Sequence, residues 1–134
     1  MHIESLLVLS KVKKYIKEKY GCSTSANFFL PLNKDVGENL DQAIERAKSA
    51  GRKTVMGKDF SFYVENPEVE DSLVVASKVK RYIKDKDGLS TSGQAFDQLT
   101  SRVQKICDAS AQKALDAKRK TVMDRDFTPP TTSL

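Results

Sequence analysis

Displaced against itself by 67 residues, the sequence matches residues 5–60 to residues 72–127 without a gap, and 28 of those 56 pairs are identical. Ser10-Lys11-Val12-Lys13 returns as Ser77-Lys78-Val79-Lys80, and Ser23-Thr24-Ser25 returns as Ser90-Thr91-Ser92. Arg52-Lys53-Thr54-Val55-Met56 returns as Arg119-Lys120-Thr121-Val122-Met123. A repeat of this quality means one structural unit used twice, and it limits the fold more than any local propensity does. The expected organisation is a first unit at 1–64, a linker at 65–70, a second unit at 71–128 and a disordered tail at 129–134.

Each unit reads as short helix, loop, long helix, loop, very short helix. In the second unit Leu73, Ala76, Val79 and Ile83 fall at helical spacing, which predicts a helix over 71–86. Gly88 ends it, as Gly21 ends the first copy. The Ser-Thr-Ser triplets then offer N-cap oxygens to the next helix. That helix carries Phe96, Leu99, Val103, Ile106, Ser110, Ala114 and Ala117, and the first copy shows Phe29, Leu32, Val36, Leu40, Ala43, Ala47 and Ala50.

A helix of about 25 residues is nearly 40 Å long, and a unit of about 60 residues cannot cover it on all sides. The two copies are therefore expected to share one core, with Ala47 and Ala114 near the close approach of the long helices. Pro31 stands where the second copy has Gln98, so the first long helix should start late or kink. Pro129 and Pro130 stop the last helix after about one turn. The fold class is all-α.

Lys and Arg number 23 against 18 Asp and Glu, a net charge of +5, and the sequence pI is about 9.2. A basic balance favours polyanionic partners, nucleic acid or an anionic membrane surface. No stretch approaches the roughly 20 apolar residues that cross a bilayer. Glu4 and the lack of a basic start argue against a secretory signal, which points to the cytoplasm and reduced thiols for Cys22 and Cys107. CxxC spacing is absent and the one histidine is His2, so no Cys/His metal site and no cofactor are expected. An enzyme would need a base, nucleophile or metal set, and the sequence offers none.

The helical layout and the Arg-Lys-Thr-Val loops, each followed by Asp59 or Asp126, resemble the histone-fold family. The second loop is similar to that of archaeal and eukaryotic core histones, and the Ser-Thr-Ser blocks are similar to minimal bacterial histones. The resemblance covers both copies. It implies two tandem histone folds packed as an intramolecular handshake dimer, with the first loop of one unit beside the second loop of the other. It also implies a convex DNA-facing surface, on which the second-loop arginine enters the minor groove and the Asp orients it. By matched position, Arg52 goes with Asp59 and Arg119 with Asp126.

The candidate DNA-binding residues are then Arg52, Lys53, Thr54, Arg119, Lys120 and Thr121 of the second loops. Ser23, Thr24, Ser90 and Thr91 of the first loops join them, with Lys11, Lys14, Lys78 and Arg81 on the outward face of the first helices. Third helices shorter than those of core histones leave further self-association on DNA open.

Each of these residues also has a plainer use. The loop cations can complement the dipole of the long helix, Ser and Thr can act as caps, and a lysine-rich helix face can simply be solvated. Tyr15 and Tyr82 read as packing residues and Cys107 as a small core residue. The expected function is sequence-nonspecific binding of double-stranded DNA through phosphates and the minor groove, bending or compacting it in a nucleoid-associated role. The partner is double-stranded DNA, the monomeric chain acts as a pseudodimer, and no membrane partner is expected. The rival reading is a histone-fold protein-interaction module that does not bind DNA. A membrane-surface role lacks the broad apolar face such helices bury.

Overall fold

The computed structural model describes residues 5–130. His2 and residues 131–134 of the expected tail lie outside the described residues. The first copy contains helix α1 (Leu9–Tyr20), the two-residue strand β1 (Ser23–Thr24), helix α2 (Phe29–Ser49) and strand β2 (Thr54–Val55). The second copy repeats this as α3 (Ala76–Asp87), β3 (Ser90–Thr91), α4 (Gly93–Asp116) and β4 (Thr121–Val122). In place of third α-helices the chain has single 3-10 turns, Gly57–Asp59 and Asp124–Asp126.

Helix α1 buries Val12 and Ile16, and α3 buries the matched Val79 and Ile83. Both end on a left-handed glycine, Gly21 at φ 70° and Gly88 at φ 72°, whose amides return to Lys17 and Lys84. Lysines in each last turn complement the helix dipole.

Helix α3 starts at Ala76, five residues later than its apolar spacing suggests. Amides in the stretch 71–75 donate to groups far along the chain instead of to carbonyls of a helix of their own. The Leu73 amide donates to Thr100 Oγ1 at 3.1 Å and the Val75 amide to the Leu6 carbonyl at 2.8 Å. Leu7 and Val74 form an antiparallel bridge between the two copies. Long-range hydrogen bonds here outweigh local helical preference.

Pro31 acts as anticipated. Residues Ala26–Phe28 form a 3-10 turn and α2 begins at Phe29, whereas α4 begins at Gly93, the counterpart of Ala26. Pro31 thus falls in the first turn, where its missing amide has no helical acceptor to lose. Gln98, its counterpart, is buried and clamps the chain just before the linker, donating to the Val64 carbonyl at 2.7 Å and accepting from the Val64 amide at 3.0 Å.

One core runs through both copies: Ile16, Leu32, Val36 and Leu40 from the first join Ile83, Leu99, Val103 and Ile106 from the second. Each such fully buried aliphatic side chain stabilises the fold by about 1.5–3 kcal/mol relative to exposure. Cys107 is buried in this core and Cys22 is buried as well. Tyr15 and Tyr82 pack against the core and also reach across copies. Tyr15 donates to Asp108 and Tyr82 to the matched Asp41, each at 2.8 Å. Ala47 and Ala114 are fully buried, and the matched Asp35 and Arg102, nearer the helix starts, bond across the long helices.

Candidate nucleic-acid interface

The short strands pair in parallel across the copies. Ser23 lies opposite Thr121 and Thr24 opposite Val122, while Thr54 lies opposite Ser90 and Val55 opposite Thr91. The pairing is fixed by backbone bonds from Ser23 to Lys120 at 2.8 Å and from Ser90 to Lys53 at 2.9 Å. The sequence-predicted loop residues therefore gather into two clusters. One holds Ser23, Thr24, Arg119, Lys120, Thr121 and Asp126, and the other holds Ser90, Thr91, Arg52, Lys53, Thr54 and Asp59.

Within each cluster an arginine and a buried aspartate form a two-pronged pair. Arg52 Nη1 donates to Asp59 Oδ2 at 2.8 Å, with Nη2 on Oδ1. Arg119 Nη1 donates to Asp126 Oδ2 at 2.7 Å and Nη2 to Oδ1 at 2.6 Å. The same guanidinium also reaches a loop carbonyl, Thr54 at 3.1 Å in one cluster and Thr121 at 3.4 Å in the other. Each aspartate accepts one more bond from the amide that opens the 3-10 turn, Met56 at 2.7 Å or Met123 at 2.9 Å. The side chains of Asp59 and Asp126 are 2% and 0% exposed, whereas those of Arg52 and Arg119 keep 27% and 24% in solvent. The carboxylate is thus a fixed internal anchor and the guanidinium a half-presented cation.

The electrostatics agree. Burial pushes the Asp59 carboxyl up, but bonds from Arg52 and the Met56 amide outweigh it and hold the group below the usual carboxylate range. At Asp126 the bond from Arg119 is the largest cause and holds that carboxyl down against burial. Both arginines are pushed up by their aspartates.

Lys53 and Lys120 are exposed next to each arginine, and Ser23 and Ser90 are exposed on the partner strands. Thr24 and Thr91 turn their hydroxyls inward. Those oxygens, with the hydroxyls of Ser25 and Ser92, are buried and have no hydrogen-bond partner among the described residues. Ser25 and Ser92 occupy the cap positions of the following turn or helix, yet neither makes a side-chain cap bond. The N-cap use expected for the triplets is therefore corrected: the strand pairing holds these loops.

Of the helix candidates, Lys11 and Lys14 are exposed on α1 and line a groove with Tyr15, Glu68 and Glu70. Lys11 lies 3.8 Å from Asp71, the residue just after the linker. Arg81 is exposed on α3 and Lys78 half-buried. A matched pair of exposed lysines lies outside the sequence-based set. Lys13 Nζ sits 6.0 Å from the Phe29 ring centre and Lys80 Nζ 5.8 Å from that of Phe96, over the starts of the long helices. Recurrence marks them no more than it marks Lys11 and Lys78; the aromatic contact that sets them apart is visible only in the structure. Arg46 and Lys113 also lie outside that set. Arg46 donates to the Asp59 carbonyl at 2.8 Å and Lys113 to the Arg125 carbonyl at 3.2 Å, tying each 3-10 turn to its long helix.

No helix among the described residues is long and apolar enough to cross a membrane. No group of three or more His, Cys, Asp or Glu among them is placed to hold a metal ion.

No protein-family model matches the chain, and no curated protein matches it. Solved structures do. The crystal structure of the histone from Methanopyrus kandleri is similar over 90% of this chain and 89% of that one, with a TM-score of 0.63 and 19% identity. A protein from Thermus thermophilus is similar over 90% of each chain, with a TM-score of 0.56 and 14% identity.

Proposed function

From a chain whose fold is that of the histones, we propose a non-enzymatic architectural protein that binds double-stranded DNA without sequence preference. The two copies act as an intramolecular handshake pair, with units at 1–64 and 71–128 about the linker 65–70. One observation carries the reading: each Arg-Lys-Thr loop is strand-paired to the Ser-Thr-Ser loop of the other copy, with its arginine held on a buried aspartate.

Such an anchored guanidinium keeps its rotamer while its outer edge stays free to enter a minor groove. The neighbouring exposed lysine and serine suit phosphates. Arg52, Lys53, Thr54 and Ser90 serve one end of the duplex, and Arg119, Lys120, Thr121 and Ser23 the other. Thr24 and Thr91 contribute loop backbone, since their hydroxyls face inward. Lys11, Lys14, Lys78 and Arg81, with Lys13 and Lys80, extend the basic surface between the ends. Contacts at both ends bend or compact the duplex, a nucleoid-associated role. A gel-shift titration on unrelated duplexes at several salt concentrations tests this. Near-equal affinities are expected, with a log–log salt slope of about −5 to −9 for roughly 6–10 neutralised phosphates. A flat salt response would favour a protein-interaction module instead.

A further inference from the structure

We infer that the interface between the two halves is heterospecific: each half accepts the other half of this chain and rejects its own kind. The observation is the Asp35–Arg102 ion pair. Arg102 Nε donates to Asp35 Oδ1 at 2.8 Å and Nη2 to Oδ2 at 2.9 Å, with the side chains only 11% and 12% exposed. Residues 35 and 102 are the same position of the 67-residue repeat. A position that touches its own counterpart in a two-fold arrangement must straddle the axis. Leu7 and Val74, also matched, do the same in their bridge.

The consequence follows from the charges. Two first halves joined in this geometry would bring Asp35 against Asp35, and two second halves would bring Arg102 against Arg102. Like charges in a largely buried interface repel with no opposite charge to offset them, whereas the native pair is two-pronged and supported. Asn39 donates to Asp35 Oδ1 at 3.1 Å, and Arg102 lies over the Phe62 ring at 4.9 Å. The neighbouring position offers no discrimination, because Val36 and Val103 are identical and both buried. Matched core positions also differ in size, as Phe28 against Ala95 and Ile44 against Ala111 do, but this opposite-charge position adds a repulsive element to the attractive one and so sets partner choice by charge. The partner this surface fits is the complementary half, from the same chain or exchanged from a second copy.

Full-length variants recreate each disfavoured axis. Arg102→Asp faces Asp with Asp, Asp35→Arg faces Arg with Arg, and Arg102→Met removes the charge without repulsion. Urea unfolding followed by circular dichroism reads the result without any DNA, so it is independent of the proposed function. Arg102→Asp and Asp35→Arg should each lower the folding equilibrium constant by about 100-fold or more. Arg102→Met should lose less, and the exchanged Asp35→Arg/Arg102→Asp chain should regain most of the loss. If the like-charge variants do not fold at all, the exchanged chain decides alone: folded supports the inference and unfolded overturns it. Arg102→Asp no worse than Arg102→Met, or an exchanged chain no better than the single variants, would also overturn it.

Discussion

Asp126 is fully buried beneath Arg119, seven residues away, and holds both terminal guanidinium nitrogens while also accepting from the Met123 amide. Its loss leaves two kinds of donor unsatisfied at once. Asp126→Ala should destabilise the fold by about 1–3 kcal/mol in urea unfolding, the range for stranding buried hydrogen-bond donors. Asp59→Ala should cost a similar amount, because its arrangement is the same.

The same aspartates predict an acid limb. Their folded-state pKa values lie below the ordinary carboxylate value. Their contribution is therefore fully present above the unfolded pKa of about 4 and is lost as pH falls through the folded value. Urea midpoints measured from pH 7 down to 2 should fall below about pH 4. An Asp59→Asn/Asp126→Asn chain should start lower and fall less steeply. Parallel slopes for the two proteins would contradict this.

At the alkaline end the tyrosines take over. Burial, then the bond to Asp108, pushes Tyr15 above its ordinary value; burial, then the bond to Asp41, does the same for Tyr82. Burial also pushes Tyr20 up to about 12. A raised folded pKa contributes stability that is present below about pH 10 and lost as pH rises through the folded value. With four tyrosines and no tryptophan, absorbance near 295 nm should show incomplete ionisation at pH 11, completed only on unfolding. Full reversible ionisation with the fold intact would sink the Tyr–Asp cross-copy contacts.

The repeat, the long helices and the Arg–Asp spacing were legible because each depends on residues close in sequence or on matched positions. Arg52 and Asp59 are separated by seven residues and one turn, so the pair could be read from the motif. What was not legible depends on partners far along the chain. The apolar spacing at Leu73 suggests helix, but the Thr100 hydroxyl and the Leu6 carbonyl take amides that a helix would use. Tyr15 packs as its sequence position suggests, but its bond to Asp108 spans 93 residues. Ser25 and Ser92 stand at cap positions with the right chemistry, yet the strand pairing sets their loops and leaves the hydroxyls unused.

That last point is testable in isolation. A buried hydroxyl without a partner contributes no hydrogen bond, so Ser25→Ala and Ser92→Ala should leave stability unchanged or raise it by up to about 1 kcal/mol. A true N-cap would lose about 1 kcal/mol on the same change. Thermal unfolding of the two variants separates these outcomes.

The proposed function rests on the two arginines at the two loop clusters, and the full-length Arg52→Ala/Arg119→Ala chain tests it most directly. Each single change should weaken binding to an arbitrary duplex by about tenfold or more, and the two should combine nearly multiplicatively because the clusters share no partner. Bending should suffer more than residual phosphate binding, since groove insertion supports the curved path. The measurement is a gel shift with a bending assay, on protein shown to be helical by circular dichroism. The account predicts a folded double variant with at least about a hundredfold weaker binding and reduced bending. A folded double variant that binds and bends DNA as the parent does would contradict it.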